Sequence, residues 1–340
     1  MRTLTLRSFI AVAAIALVSC EDGADAGDPG AGDCVVDLDC GEGLVCVRGA
    51  CVSPFDVAEG EGEGEGEGEG EGEDDPLANC PDRDNDGARD QACGGTDCDD
   101  GDRARFPNNA ERCSDTDENC DGTNNEGLDC TFFAHGPDDL YRVDPFARQA
   151  LFVATASLPT PGSLFDIDRD ADGTILGVSE DRLFRIAQNG TMSAIANIDA
   201  PAFTNGMAIT ADGAIYLTTS DESAPGAYRV DRSTGAVTLV GRTGTFKSSG
   251  DCVLTKDNRL LMAATGSSSD VLVELDQTTA QTTQIGPIGF NGVYGLSASF
   301  DSLYGLTELG EVILINPGTG AGTLVFRDAT AVFYGAANGD

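Results

Sequence analysis

Histidine and basic residues are scarce in this sequence. Its 340 residues include one histidine, His135, and 20 lysines and arginines against 58 aspartates and glutamates, which gives a formal net charge of -38. This negative charge repels nucleic acid and anionic membrane surfaces, so neither is expected as a partner. With a single histidine and no G-x-S-x-G motif around any serine, a Ser-His-Asp triad is not expected, and His135 is predicted to be structural.

Long hydrophobic runs are also missing beyond the N-terminus. No later segment has the roughly 18 consecutive apolar residues of a membrane-spanning helix. At the N-terminus, Arg2 and Arg7 precede an apolar run from Phe9 to Val18, a pattern typical of a secretory signal peptide. The sequence LVSC that ends at Cys20 resembles the lipobox of bacterial lipoproteins, which implies that Cys20 carries a lipid.

That resemblance predicts where the protein resides. We expect an exported lipoprotein of the bacterial cell envelope, at the outer membrane or the cell surface, which contacts the membrane only through its lipid anchor. The alternative is an ordinary secreted protein that is cleaved at small residues.

Twelve cysteines in an exported chain predict disulfides, because the compartment is oxidising. Besides Cys20 and Cys252 they form two clusters with even numbers of members: Cys34, Cys40, Cys46 and Cys51, and then Cys80, Cys93, Cys98, Cys113, Cys120 and Cys130. Each cluster can therefore pair within itself, although the sequence leaves the connectivity open. Cys252 is predicted to be a small buried residue and not a nucleophile.

Composition divides the chain into six segments. A signal peptide (residues 1–19) and a flexible tether (20–33) precede a four-cysteine module (34–52), which resembles the four-cysteine knots of myxobacterial surface lipoproteins. An acidic Glu-Gly linker (53–78) follows, in which alternating glycine prevents helix formation and like charges favour extension. A Cys- and Asp-rich module (79–130) and a strand-rich region (131–340) complete the chain.

The Cys- and Asp-rich module contains two acidic loops. Asp82, Asp84 and Asp86, followed by Gly87, fit the D-x-D-x-D-G start of a calcium loop, where alternate carboxylates surround one ion. Cys93 stands at position twelve, where an EF-hand has a glutamate, so further ligands must come from elsewhere in the module. A second match begins at Asp117. The complete set of predicted metal ligands is Asp82, Asp84, Asp86, Asp90, Asp97, Asp99, Asp100, Asp117, Asn119 and Asp121.

The ordered motifs DRDNDG, DCDDGD, FPNNAERC and DENCDGTNNEG resemble the Cys-rich metal-binding repeat of secreted bacterial proteins of the MopE type, and they are similar to thrombospondin type 3 calcium repeats. The resemblance implies a divalent cation, calcium above all. One alternative is a solvated acidic segment whose carboxylates repel one another. The other is zinc bound through the cysteines, which an oxidising compartment disfavours.

A repeat of 40 to 45 residues runs through the strand-rich region, with copies that begin at Leu140, Leu183, Ala227, Leu272 and Val312. Each copy is two strands joined by a turn, and a second hairpin precedes most copies, so one period has the four strands of a β-propeller blade. The C-terminal AVFYGAANGD is predicted to supply the innermost strand of the first blade. We therefore predict an all-β fold with five blades, with an irregular sixth as the alternative.

Two motifs inside this region receive structural interpretations. A third D-x-D-x-D-G, from Asp168 to Gly173, aligns with turns in other repeats and is predicted to be a turn between two strands of a blade. The glycines of NPGTGAGT are likewise predicted to form an outer hairpin turn and not a nucleotide site.

Aligning the inner hairpins places Asp166, Gly206, Asp251, Tyr294 and Tyr334 at equivalent positions facing the central channel. Two aspartates and two tyrosines there could hold a cation or a sugar. The region resembles secreted lactonase-like and NHL-like propellers, and the lactonase-like ones use channel carboxylates with calcium. The main prediction is a non-catalytic surface lipoprotein that binds calcium and presents its propeller to a protein or glycan. The alternative is a calcium-dependent hydrolase or lactonase that acts in the channel.

Overall fold

A computed structural model describes residues 45–47, 50–52, 80–155, 158 and 163–339. The chain divides into two compact units, Met1–Glu73 and Asp74–Asp340. In the first unit, β1 (Val45–Val47) and β2 (Ala50–Val52) form an antiparallel hairpin in which Cys46 and Cys51 are register partners. The predicted signal peptide, lipidation site, tether and Glu-Gly linker, together with Cys34 and Cys40, lie outside the described residues.

Residues 80–130 are held by three disulfides, which join Cys80 to Cys93, Cys98 to Cys120 and Cys113 to Cys130. The cluster therefore pairs within itself, as predicted. Its regular structure among the described residues is limited to a 3-10 turn at Gln91–Cys93 and a parallel bridge between Asp90 and Asp97. A segment with so small an apolar core depends on its cross-links for stability.

Five four-stranded antiparallel sheets form a β-propeller, as predicted. From the channel outward, blade 1 contains β22 (Gly335–Ala336), β3 (Phe132–His135), β4 (Asp139–Asp144) and β5 (Gln149–Thr155). Blade 2 contains β6 (Asp166–Arg169), β7 (Ile175–Val178), β8 (Arg182–Ile186) and β9 (Met192–Asn197). Blade 3 contains β10 (Thr204–Ile209), β11 (Ile215–Thr219), β12 (Gly226–Val230) and β13 (Val237–Arg242). Blade 4 contains β14 (Ser248–Leu254), β15 (Leu260–Ala264), β16 (Val271–Leu275) and β17 (Thr282–Pro287). Blade 5 contains β18 (Val293–Ser299), β19 (Ser302–Thr307), β20 (Glu311–Ile315) and β21 (Gly322–Arg327).

The C-terminal strand closes the ring. β22 pairs antiparallel with β3, with Gly335 opposite His135 and Ala336 opposite Ala134. The last segment of the chain thus completes the first blade, which confirms the prediction from the sequence AVFYGAANGD.

Apolar side chains fill the space between neighbouring blades. Five buried clusters lie between the five pairs of adjacent blades. In β15, Leu260 and Met262 pack towards blade 3, whereas Leu261 and Ala263 pack towards blade 5. Successive residues of a strand point to opposite faces, so a strand buried on both faces has an unbroken apolar sequence.

The two motifs interpreted as turns are turns. The amide of Gly173, which has φ +82°, donates to the carbonyl of Asp170, and the segment joins β6 to β7. Asn316 begins the turn between β20 and β21, where its carbonyl accepts from Gly320. Among the described residues, no helix is long and apolar enough to cross a membrane.

Candidate functional site

The first acidic loop uses one oxygen of each carboxylate to shape the backbone. Asp82 Oδ2 accepts a hydrogen bond from the Gly87 amide (3.2 Å), and Asp84 Oδ1 accepts one from the Asp86 amide (3.2 Å). Asp86 Oδ1 accepts from the Ala88 amide (2.8 Å). The loop reverses at Gly87, whose φ of +96° favours glycine. One oxygen from each of the three aspartates lies within 4.8 Å of the others.

Backbone pairing brings Asp97 to this loop. The Asp97 amide donates to the carbonyl of Arg89 (3.0 Å), and the Gln91 amide donates to the carbonyl of Asp97 (2.9 Å). The Asp97 side chain is buried, and its Oδ1 accepts from the Asp99 amide (2.8 Å). Asp100 is also buried, and its Oδ1 accepts from the Arg83 amide (2.9 Å). The sequence offers Asp97, Asp99 and Asp100 as the further ligands from elsewhere in the module, and the structure brings Asp97 and Asp100 to the loop.

Five carboxylate oxygens at this place are buried and accept no hydrogen bond from the described residues. They are Asp82 Oδ1, Asp84 Oδ2, Asp86 Oδ2, Asp97 Oδ2 and Asp100 Oδ2, and we call these residues the five-aspartate cluster. One guanidinium is nearby, with Arg83 Nε 3.4 Å from Asp100 Oδ2. A buried carboxylate without a partner is unfavourable unless it pairs with a cation or binds a metal.

Electrostatic repulsion within the cluster also favours a bound cation. Burial raises the pKa of Asp84, and the negative charges of Asp86, Asp97 and Asp82 add to this effect. Burial also raises the pKa of Asp97, with further contributions from the charges of Asp86 and Asp100. A divalent cation among these oxygens would remove the repulsion, because it favours the charged form of each carboxyl group.

Two predicted ligands are directed elsewhere. Asp90 Oδ1 accepts from the Ala92 amide (2.8 Å) and so caps the 3-10 turn. Asp99 Oδ2 forms an ion pair with Arg105 Nη1 (2.7 Å). Neither side chain contributes an unpartnered buried oxygen to the five-aspartate cluster. Their roles depend on contacts that the alternation of aspartates does not indicate.

The second acidic loop has the same spacing and equivalent backbone hydrogen bonds, but Asp121 is exposed. Asp117 accepts with both oxygens, from the amides of Asp121 (3.2 Å) and Gly122 (2.8 Å). Asn119 Oδ1 also accepts from Asp121 (2.9 Å), and Asp121 Oδ1 accepts from Thr123 (2.8 Å). Among the described residues of this loop, no buried carboxylate oxygen lacks a partner. Asp117 thus has both of its oxygens engaged, and Asp121 is exposed to solvent.

Cysteine ligands for zinc are not available in this module. Cys98 and Cys120 lie close to Asp97, but their sulfurs are joined to each other, and the other four cysteines of the module are also in disulfides. The candidate metal centre is therefore made of oxygen atoms, which suit calcium or magnesium.

In the propeller, the inner strands place five residues at one level of the channel: Asp166, Gly206, Asp251, Gly295 and Gly335. Their register with the second strands defines this level, since Asp166 lies opposite Val178, Gly206 opposite Thr218, Gly295 opposite Leu306 and Gly335 opposite His135. Tyr294 and Tyr334 come one residue earlier. The predicted equivalence of the tyrosines with the aspartates is therefore wrong by one position. A register shift precedes this level in β18, as it also does in β10.

Asp166 and Asp251 connect neighbouring blades. Both are fully buried. Asp166 Oδ2 accepts from the Met207 amide of blade 3 (2.7 Å), and Asp251 Oδ2 accepts from the Leu296 amide of blade 5 (2.6 Å). Their Oδ1 atoms accept from the next amide in their own strand, at 2.8 and 2.6 Å. All four oxygens thus serve the packing of the inner strands.

The two carboxyl groups also contact each other. Burial, followed by the charge of Asp251, raises the pKa of Asp166 well above its ordinary value. Burial raises the pKa of Asp251 in the same direction, and it raises the pKa of the nearby Asp168 to about 7. Two buried carboxyl groups in contact retain a proton, because both cannot carry a charge there.

His135 lies beside this pair in a fully buried position. Its Nδ1 is 2.9 Å from the carbonyl oxygen of Gly136, so Nδ1 carries the proton, and its Nε2 lies 3.9 Å from Asp166 Oδ1. Burial lowers the pKa of His135 to about 4. The imidazole occupies space next to Gly335, where a Cβ atom would lie 2.5 Å from Nε2. His135 is thus a neutral packing residue.

Cys252 is buried as predicted, and burial raises the pKa of its thiol well above the ordinary value. The thiolate form that a nucleophile needs is therefore disfavoured.

A cavity of about 720 Å³ lies at the mouth of the channel, where the inner strands begin. Tyr294 and Tyr334 line it with their rings 5.9 Å apart and nearly perpendicular. Asn205, Asp270 and Glu308 also line it. Sequence reasoning missed these three residues, which belong to three different blades and share no motif, although Asn205 directly precedes one of the aligned inner-strand positions.

The chain is thus an all-β protein that ends in a five-bladed β-propeller preceded by a disulfide-bonded acidic module. No protein-family model matches it, and no curated protein matches it. Among solved structures it is similar to a gluconolactonase from Xanthomonas campestris, with 13% identity, a TM-score of 0.41 and coverage of 62% of this chain and 80% of that chain. It is similar to a catalytically inactive virginiamycin B lyase from Staphylococcus aureus with 14% identity, a TM-score of 0.36 and coverage of 61% and 73%. Similarity to hydrazine synthase from Kuenenia stuttgartiensis has 17% identity and a TM-score of 0.37, and it covers 49% of each chain. These similarities assign no activity to this chain.

Proposed function

We propose that this chain is a calcium-binding surface lipoprotein without catalytic activity, which presents its β-propeller to a protein or glycan. The observation that supports calcium binding is the five-aspartate cluster, where five buried carboxylate oxygens accept no hydrogen bond from the described residues and carboxylate oxygens of Asp82, Asp84 and Asp86 come together within 4.8 Å. Asp97 and Asp100 are 1% and 7% exposed, so bulk water does not compensate their charges.

Calcium suits this site better than magnesium. Calcium accepts about six to eight oxygen ligands in flexible geometry, whereas magnesium requires a near-ideal octahedron and retains several of its waters. Asp82, Asp84 and Asp86 would supply the first carboxylate oxygens of a calcium shell, and Asp97, Asp100, backbone carbonyls or water would supply the rest. The alternate spacing of Asp82, Asp84 and Asp86 is also the spacing of calcium loops.

The proposal for the cell envelope rests on the sequence. A signal-like N-terminus that ends at Cys20 would attach the chain to a membrane through lipid, and the acidic Glu-Gly linker would separate the folded modules from that surface. In this proposal, calcium gives the module between linker and propeller a fixed shape.

The alternative is a calcium-dependent hydrolase or lactonase that uses Asp166 and Asp251. Both side chains are 0% exposed, and their oxygens already accept backbone hydrogen bonds. A catalytic carboxylate must reach the substrate, so these positions favour the binding function. Turnover of simple lactones by the wild-type protein, lost in an Asp251→Asn variant that still folds, would support the alternative instead.

Calcium titration calorimetry on the full chain with intact disulfides tests the metal site. The wild-type protein should bind calcium saturably at a stoichiometry near one. The double variant Asp84→Asn, Asp86→Asn should lose at least about tenfold in affinity, because two charged ligands become neutral.

The second acidic loop provides the matched control. The double variant Asp117→Asn, Asp121→Asn carries the same change of charge in a loop of the same spacing, where Asp117 accepts with both oxygens and Asp121 is exposed to solvent. It should keep the wild-type affinity within about threefold. Equal losses in both double variants would mean that only total charge matters, and that result would reject a specific site.

A further inference from the structure

The cavity at the channel mouth has a chemical character of its own. Its aromatic walls are Tyr294 and Tyr334, from blades 5 and 1, with Tyr334 39% exposed. Glu308 supplies one neighbouring carboxylate. Its side chain lies over Gly292, 3.3 Å from the position that a Cβ atom of Gly292 would occupy. A second one comes from Asp270, whose Oδ2 is fixed by Ser249 Oγ (2.7 Å) and the Val293 amide (2.9 Å).

Two carboxyl groups lie close enough to Tyr294 to affect its hydroxyl group. Burial raises the pKa of Tyr294, and the charges of Glu308 and Asp270 raise it further, so both carboxylates act on the tyrosine ring. Among the described residues that line the cavity, the one basic side chain is that of Lys247, whose Nζ forms an ion pair with Glu222 Oε1 at 2.6 Å. Tyrosine faces and carboxylates together attract organic cations.

Two polar atoms of the cavity wall lack a partner among the described residues. Asn205 donates through Nδ2 to the carbonyl of Ser248 (3.2 Å), which leaves its Oδ1 as an unpaired acceptor. Ser248 is 1% exposed, and its Oγ is also unpaired. Both atoms are buried, so they engage a ligand only after a small side-chain rotation. A ligand with several N–H and O–H donors would satisfy them.

We propose that this cavity binds a cationic amino sugar. The ammonium group would lie near the tyrosine pair, Glu308 and Asp270, and the sugar hydroxyls would bond to Asn205 and Ser248. This inference deepens the proposed binding role of the propeller and rests on it, since it names the class of glycan. A volume of about 720 Å³ accommodates a mono- or disaccharide and exceeds what a lysine side chain needs.

Calorimetry with three small probes tests this assignment on the full chain. The probes are the free-amine disaccharide of glucosamine, its fully N-acetylated counterpart and the N-acetyl methylamide of lysine. The free-amine disaccharide should bind at least about tenfold more tightly than the N-acetylated one, because acetylation removes the charge that the tyrosines and carboxylates select. Equal binding of the two disaccharides would overturn the proposal. Preference for the lysine derivative would also overturn it and would indicate a protein ligand.

Variants at exposed positions locate the binding. Tyr334→Ala and Glu308→Gln should each weaken binding of the free-amine disaccharide at least about fivefold. Glu180→Gln is the matched control, since Glu180 occupies the same place in blade 2, is exposed and does not line the cavity. Unchanged affinity in both cavity variants would contradict the assignment.

The calcium-site double variant separates the two proposals. Asp84→Asn, Asp86→Asn should bind the free-amine disaccharide normally, and Tyr334→Ala should bind calcium normally. If the wild-type protein binds calcium but does not bind the free-amine disaccharide, the cavity assignment is rejected and the calcium site is not.

Discussion

Buried aspartates in this protein occur in two chemical situations. In the channel, each oxygen of Asp166 and Asp251 accepts an amide, and the pair shares a proton. In the five-aspartate cluster, one oxygen of each residue accepts from a backbone amide and the other accepts no hydrogen bond within the described part of the chain, although Arg83 lies beside that of Asp100. Burial alone therefore does not identify a ligand site, whereas burial combined with an unpartnered oxygen does.

His135 gives a direct measurement at the residue scale. Because it is the only histidine, its imidazole signals in an NMR spectrum need no assignment by mutation. Its pKa of about 4 lies below its ordinary value, so we expect no titration between pH 5 and 8 and an Nδ1-protonated tautomer. Titration near pH 6.5 would show that the ring is hydrated or paired with a charged Asp166.

The sequence indicated part of the candidate metal site. The alternation of Asp82, Asp84 and Asp86 specifies which carboxylates face a common point, because the loop conformation is local. Asp90 and Asp99 lie in the same acidic sequence, but Asp90 accepts from an amide of the 3-10 turn and Asp99 pairs with Arg105. Such contacts depend on how the disulfides fold the module, and spacing does not contain that information.

At the scale of single elements, the inner strands explain why glycine recurs in the channel. A Cβ at Gly335 would lie 2.0 Å from Asp166 Oδ1, and one at Gly206 would lie 2.3 Å from Thr218 Oγ1. The inner strands converge on the channel. At this level the side chains of Asp166 and Asp251 occupy the space, and the other three positions are glycine. The repeat predicted the strands and the closing segment, because hydrophobic alternation repeats in every blade. It did not place Gly295 and Gly335 at the level of the aspartates, because the tyrosine that precedes each glycine is the more conspicuous residue in the sequence.

Gly335→Ala tests the packing of this level. The new methyl group would collide with Asp166 and with His135 Nε2 at 2.5 Å, so we expect the free energy of unfolding to fall by about 2 to 3 kcal/mol. Urea denaturation followed by circular dichroism measures the change. Gly318→Ala, in the outer turn of blade 5, where a Cβ would meet only Asn316 Oδ1 at 3.3 Å, should cost less than about 1 kcal/mol. Similar losses in the two variants would refute the close packing.

At the scale of the whole molecule, the buried acids make stability depend on pH. The folded-state pKa of Asp168 is about 7 against an ordinary value of 3.8, so its favourable contribution is complete below pH 3.8 and is lost as the pH rises to about 7. The raised pKa values of Asp166 and Asp251 act in the same direction. His135 acts oppositely, because its contribution is lost as the pH falls from 6.5 to about 4.

The effect of the three buried aspartates exceeds that of the single histidine. The free energy of unfolding should therefore be higher at pH 5 than at pH 7.5, by about 2 kcal/mol. Urea denaturation in metal-free buffer with about 0.5 M NaCl measures this, because salt screens the repulsion between surface carboxylates. His135→Gln should make the decrease with pH steeper. Stability that rises between pH 5 and 7.5 would be incompatible with protonated acids in the channel.

The central claim is that the five-aspartate cluster holds calcium. Anomalous diffraction from crystals grown with calcium tests it most directly, because it locates the ion. The account predicts one peak about 2.3 to 2.6 Å from carboxylate oxygens of Asp82, Asp84 and Asp86, the three that lie within 4.8 Å of one another. The account would be contradicted if crystals grown with a saturating concentration of calcium showed no peak at this cluster, or a peak only at the Asp117 loop.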